Sequence, residues 1–124
     1  MDKLFIAAIK EETIDMDFFK HVGVGKINAT YNTLKLIQLY RPKIVINYGT
    51  AGAINKNLQG IIECTKFYQR DMDVRGLDFE IGETPFDKIK EIITSDKGFS
   101  CGSGDNFVNK KVEMNIDAVD MEAY

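Results

Sequence analysis

Tryptophan is absent, histidine occurs once, at His21, and cysteine and proline occur twice each in a chain of 124 residues. A single histidine, with no serine or cysteine nucleophile in a recognisable motif beside it, argues against a histidine-based triad and favours a loop or packing role. Cys64 and Cys101 lie far apart and lack metal-ligand spacing, so free buried thiols in a reducing compartment are expected, and no metal or other cofactor is called for. A strong excess of either charge is also missing: 16 basic residues face 19 acidic ones, for a net charge of -3, which offers no footprint for a nucleic-acid backbone. No apolar run reaches the roughly 18 residues of a spanning helix, and Met1-Asp2-Lys3 does not open a signal peptide. No membrane contact and a cytoplasmic location are therefore expected. Any chemistry must run on carboxylates, hydroxyls and backbone amides.

A hydrophobic content of 44% over this length suits one domain, residues 1–124, with one core. Leu4-Phe5-Ile6-Ala7-Ala8-Ile9 is a continuous apolar run of strand length, as in a parallel sheet covered on both faces. The glycines of His21-Val22-Gly23-Val24-Gly25 turn the chain into a helix that carries Ile27, Tyr31, Leu34, Leu36, Ile37, Leu39 and Tyr40 at helical spacing and ends at Arg41-Pro42. Gly-x-Gly without a third glycine does not make a dinucleotide site, and the helical stripe reads as core. Ile44-Val45-Ile46 is then a second buried strand, completing a right-handed βαβ unit. The class is α/β, a single layered domain with a central mixed sheet flanked by helices. From Gly60 the pattern turns to β. Thr84-Pro85-Phe86-Asp87 has a cap, a proline at the first helical position and an acid three residues on, which predicts a helix carrying Phe86, Ile89, Ile92 and Ile93. A helical turn is expected over Lys110 to Met114.

Four stretches carry candidate chemistry. Glu12 stands just past the C-terminal end of the first strand, where open α/β sheets place their ligands; it also suits the first turn of a helix with Thr13 to Lys20 as its body. Gly49-Thr50-Ala51-Gly52 follows the second buried strand, so the backbone there closely approaches either a ligand or a packed neighbour. Phe107 ends the glycine-rich bend Gly102-Ser103-Gly104-Asp105-Asn106, where it could stack on a planar base or fill a core. Val119-Asp120-Met121-Glu122 alternates apolar and acidic residues, so an extended strand would present Asp120 and Glu122 on one face. An ionised Glu122 can accept both hydroxyls of a ribose diol, although the same pattern suits an ordinary solvated acid.

Taken together, Ile6-Ala7-Ala8-Ile9-Lys10-Glu11-Glu12, Gly23 to Ala29, Asn47-Tyr48-Gly49-Thr50-Ala51-Gly52-Ala53, Arg70-Asp71-Met72-Asp73-Val74, Ser103 to Val108 and Val119 to Ala123 resemble, in order, the purine nucleoside phosphorylase/nucleosidase superfamily. Within it the resemblance is closest to the 5′-methylthioadenosine/S-adenosylhomocysteine nucleosidases. The resemblance implies an adenine nucleoside as substrate and hydrolytic release of adenine. It gives Glu12 the attacking water, Met121 and Glu122 the ribose, Phe107 the adenine face and the Val108 backbone its edge, with Thr50, Ala51 and Gly52 lining the pocket. It also implies a homo-oligomer, a dimer first, in which the segment from Arg75 to Pro85 lies at the interface. The short supply of arginine near the glycine turns favours water over phosphate as nucleophile, with Arg41, Arg70 and Arg75 as possible phosphate ligands. In the family a further strand with a Ser-Asp pair follows the Met-Glu strand, and its aspartate protonates the leaving purine, whereas this sequence ends at Tyr124. The expectations are thus a nucleosidase that is slow alone or completed by another chain, with a nucleoside-binding module or a phosphorylase as alternatives.

Overall fold

The computed structural model describes residues 1–87 and 89–124, and the chain divides into two compact units, Met1–Thr50 and Ala51–Tyr124. The class is α/β. Among the described residues, no helix is long and apolar enough to cross a membrane.

In the first unit, strand β1 (Lys3–Ala7) lies between β2 (Lys20–His21) and β3 (Ile44–Asn47), and both neighbours run parallel to it. Parallel neighbours require a crossover, which helix α1 (Lys26–Tyr40) supplies between β2 and β3. The helix starts after Gly23 and Gly25, both at φ of 91°, a conformation that costs glycine little. A Cβ on Gly23 would also stand 3.0 Å from Asn28 Cβ. The helix ends at Arg41, which is left-handed and donates its N–H to the Ile37 carbonyl at 2.8 Å, and Pro42 prevents continuation.

The face of α1 that packs is Ala29, Leu36 and Tyr40, laid against Leu4, Ile6 and Val22. Asn32 sits on the same face and donates to the Val22 carbonyl at 2.8 Å. The other face of β1 presents Phe5 to an aromatic cluster with Phe18, Phe19 and Tyr48, at ring separations of 5.0 to 5.6 Å. Side chains alternate across a strand, so β1 is covered on both faces, as its continuous apolar run predicts.

Two expectations need correcting here. The apolar stripe of α1 is not all core: Ile27, Tyr31, Leu34 and Leu39 are exposed, because only one face of the helix meets β1. Ile44 and Val45 are exposed as well, since β3 is an edge of its three-stranded sheet and not a second buried strand.

The second unit is a five-stranded mixed sheet in the order β4 (Gly52–Ala53), β8 (Ala118–Asp120), β7 (Phe99–Ser103), β5 (Cys64–Gln69), β6 (Glu91–Ile93). β7 is parallel to both its neighbours, and the outer pairs are antiparallel. The helix expected after Pro85 is not found, Lys88 within it lying outside the described residues. Phe86 is fully exposed at a φ of 67°, and Ile92 and Ile93 lie in β6, paired with Phe67 and Lys66. Consecutive β-branched residues beside an open strand edge gain more from pairing than from a short helix. Lys110 to Met114 likewise forms bends and not a helical turn. Nor is there a helix over Thr13 to Lys20, where a 3-10 turn of four residues, Lys10–Thr13, is all that forms.

Leu4 is 1% exposed at the centre of the first unit's core. Leu4→Ala should lower stability by about 2–5 kcal/mol, the usual cost of a truncated core leucine. Urea unfolding measures it, and a loss below about 1 kcal/mol would contradict this packing.

Candidate functional site

In the first unit the candidate carboxylate is Glu12, in the 3-10 turn that follows β1. One oxygen, Oε1, accepts the Ile9 N–H at 3.3 Å, which closes the turn as a capping acid does. The other, Oε2, accepts the N–H of Thr50 at 2.7 Å and its hydroxyl at 2.9 Å. The side chain that caps its own short turn thus also reaches Thr50, just past the end of β3. Gly49 makes this possible: a Cβ there would sit 2.8 Å from Oε2 and push the carboxylate away. Thr13 next to it is buried and shares a 2.8 Å hydrogen bond with His21 Nε2, so the one histidine anchors this turn. Two donors from one residue fix the carboxylate's rotamer.

In the second unit the candidates follow β7 and β8. The strand expected to run through Glu122 stops at Asp120, because Asp120 Oδ2 accepts the N–H groups of Glu122 at 3.3 Å and Ala123 at 2.8 Å. An aspartate that bonds backbone two and three residues on forms a turn and removes those donors from the ladder. Its Oδ1 accepts the Ser103 hydroxyl at 2.5 Å and the Cys101 thiol at 3.4 Å, and Ser103 Oγ in turn accepts the Tyr124 N–H at 2.8 Å. Met121 and Glu122 are thus carried on a pinned turn, not on the face of a strand. The sequence reading missed Asp120 as the residue that shapes this turn; an acid followed by the two residues whose N–H groups it takes was the available signal.

The start of β8 is fixed in the same manner. Asp117 Oδ2 accepts the Ser100 N–H at 2.9 Å and its hydroxyl at 3.0 Å, and Oδ1 accepts from Asn55 Nδ2 at 3.1 Å. The Ser100 N–H chiefly, with Asn55, holds the Asp117 carboxyl below its ordinary range. Gly52 pairs with Val119, and a Cβ on it would stand 3.1 Å from Val119 Cγ2. What Gly52 approaches is thus the neighbouring strand.

Phe107 is 88% exposed, and Val108 is half-buried. The bend before them is held by Arg70, whose Nη1 donates to Asn106 Oδ1 at 2.7 Å and Nη2 to the Asn106 carbonyl at 2.6 Å. Two of the suggested phosphate ligands are thereby engaged: Arg70 with oxygens of its own unit, and Arg75 with Asp73 and Glu113 at 2.6 and 2.7 Å. Cys64 and Cys101 are free thiols, and burial first of all pushes both upward, so neither is a thiolate nucleophile at neutral pH. An open depression of about 690 Å³ lies elsewhere in this unit, and of the residues singled out from the sequence only Arg75, already paired, lines it. Charged groups on its edge are already matched, Lys90 with Glu80 at 2.5 Å.

No family model matches the chain. Its sequence is similar to the 5′-methylthioadenosine/S-adenosylhomocysteine nucleosidase of Haemophilus ducreyi, 32% identical over 127 aligned positions that cover 82% of this chain and 55% of the relative. The Bacillus subtilis protein of that description is 37% identical over 65 residues, covering 51% of this chain and 28% of the relative. The chain therefore spans at most about half the length of these relatives. Its fold matches the Campylobacter jejuni 5′-methylthioadenosine/S-adenosylhomocysteine nucleosidase with a TM-score of 0.82 at 20% identity, over 99% of this chain and 76% of that one. The futalosine hydrolase of Helicobacter pylori is matched at 0.81, also at 20% identity, over 98% and 75%. At such identities the structural likeness establishes the fold.

Asp117 predicts a pH dependence. A carboxyl whose folded pKa is depressed adds stability above its unfolded value near pH 4, and that stability is lost as pH falls through the folded value. Asp117→Asn should therefore flatten the stability profile below about pH 4 and leave its slope at neutral pH unchanged. Urea midpoints from pH 2.5 to 7 check this; an unaltered acid limb in the variant would refute it.

Proposed function

We propose that this chain, a homologue of the nucleoside phosphorylases and nucleosidases, binds an adenine nucleoside and cleaves its N-glycosidic bond with water. The observation that carries the reading is the Glu12 carboxylate, fixed by the N–H and hydroxyl of Thr50 at the end of a parallel strand. Cleavage of an N-glycosidic bond passes through an oxocarbenium-like state, and a fixed carboxylate near the sugar both orients water and stabilises the growing positive charge. In this reading Glu12 holds the water, Glu122 accepts the ribose hydroxyls beside Met121, and Thr50, Ala51 and Gly52 line the pocket. Phe107 offers its exposed ring to the adenine, and the Val108 backbone reads the edge of the base. The engagement of Arg70 and Arg75 within the protein supports water over phosphate as nucleophile.

The test is chromatographic detection of free base after incubation with methylthioadenosine, S-adenosylhomocysteine or futalosine, with and without phosphate. Adenine should appear without phosphate. Glu12→Gln should slow release about 10²–10⁴-fold, the scale of a lost acid–base group. Glu122→Gln should cost about 10–150-fold, the scale of a hydrogen bond to a charged acceptor. Ligand binding without release would make the chain a nucleoside-binding module, and a phosphate requirement would make it a phosphorylase.

Phe107 allows a separate check, since its exposure uncouples binding from folding. Phe107→Ala should weaken adenine-nucleoside binding about 5–150-fold, the range of one base–aromatic stack, with the melting temperature unchanged. Unaltered affinity would remove Phe107 from the base site.

A further inference from the structure

Arg70 follows directly on β5 and is only half-buried, yet each of its three guanidinium nitrogens donates to an acceptor of the second unit. Nε donates to the Gly102 carbonyl at 3.1 Å, Nη1 to Asn106 Oδ1 at 2.7 Å, and Nη2 to the carbonyls of Asn106 at 2.6 Å and Asp120 at 3.2 Å. Asn106 immediately precedes Phe107 and Val108, and Asp120 immediately precedes Met121 and Glu122. One guanidinium nitrogen thus bridges the last carbonyl before the base segment and the last carbonyl before the ribose segment.

Glycine clears the path for it. A Cβ on Gly104 would stand 2.8 Å from Nη1 and 2.9 Å from Cζ, and one on Gly102 would meet Ile116 Cδ1 first, at 2.5 Å, and then Arg70 Cβ at 3.2 Å. Alternate residues of an extended segment share a face, so Gly102 and Gly104 leave a bare track along which the arginine lies. A planar fork of fixed geometry can hold two chain segments at a set spacing, which a lysine, with a single flexible ammonium, cannot.

We propose that Arg70 is a positioning residue that sets the distance between the base-binding segment at Phe107 and Val108 and the ribose-binding segment at Met121 and Glu122. The inference rests on the adenine-nucleoside reading. A nucleoside joins base and sugar covalently, so it binds well only when both segments are correctly spaced; free adenine engages one segment and is indifferent to the spacing. Arg70 therefore acts on the whole ligand and spares its base fragment.

The experiment is calorimetric titration of the full chain with methylthioadenosine and, separately, with adenine, in a Glu12→Gln background that slows turnover. Arg70→Lys should weaken the nucleoside by about tenfold or more, the scale of one lost charge-assisted hydrogen bond, and adenine by less than about threefold. Asn106→Ala removes a surface acceptor of the same fork without touching a strand, and should weaken the nucleoside by about threefold, again sparing adenine. Melting temperatures accompany each titration. Equal losses for both ligands, losses that track a fall in melting temperature, or no loss at all would overturn the proposal. If the parent chain binds no adenine nucleoside, the functional reading itself fails and the inference falls with it, an outcome distinct from a parent that binds and an Arg70→Lys variant that binds equally well.

Discussion

The parallel pairing of β7 with β8 is the constraint on which the second unit's candidate residues depend. Three residue pairs form it, Cys101 with Ala118, Gly102 with Val119 and Ser103 with Asp120, and a hydroxyl–carboxylate contact closes each end. Ser100 meets Asp117 at one end and Ser103 meets Asp120 at the other. So short a ladder holds little free energy in its own backbone bonds, each worth about 0.5–1.5 kcal/mol net. The charge-assisted bonds at its two ends fix register as well as adding strength. Because Asp120 is both the last residue of the ladder and the acceptor for the next two amides, the register of β8 and the placing of Met121 and Glu122 are a single structural decision.

The first unit solves an analogous problem with a different device. Glu12 and Thr50 are joined because β1 and β3 are parallel neighbours whose C-terminal ends lie together. Parallel pairing is what brings the exits of two distant strands to one edge, and it is why ligand groups gather there in sheets of this class. Gly49 contributes by having no side chain, which leaves the space that the Glu12 carboxylate fills. In the second unit Gly104 does the same for Arg70, and Gly102 does so for Ile116 and Arg70 together. The glycine-rich stretches thus serve side chains of this protein that must lie close to backbone.

The electrostatics favour fixed anions over reactive nucleophiles. Burial keeps both thiols protonated, and Asp120 and Asp117 next to them push in the same direction. The Asp117 carboxylate, which accepts several donors at once, is held ionised and oriented, and Asp120 is oriented by the donors it accepts.

Local periodicity was legible. The apolar run of β1, the glycine turn, the helix ending at Arg41-Pro42 and the strand beyond it all follow from short-range sterics and side-chain alternation, so residues 3–47 read as βαβ before any coordinates. The order of the motifs also pointed to the relatives that the chain is similar to. The sequence was silent on partners distant along the chain. Nothing local says that the stripe of Ile27, Tyr31 and Leu34 faces away from β1, or that Ile92 and Ile93 join β5 in place of a helix begun at Pro85. The capping signal at Thr84 was real as a local preference, but an open strand edge outweighed it. Glu12 and Glu122 could be named as acids after strands; that Thr50 holds the first, that Asp120 turns the chain at the second, and that Arg70 ties Asn106 to Asp120 are decided by strand order and register. Those contacts join residues far apart in sequence, and only the completed sheet brings them within hydrogen-bonding distance.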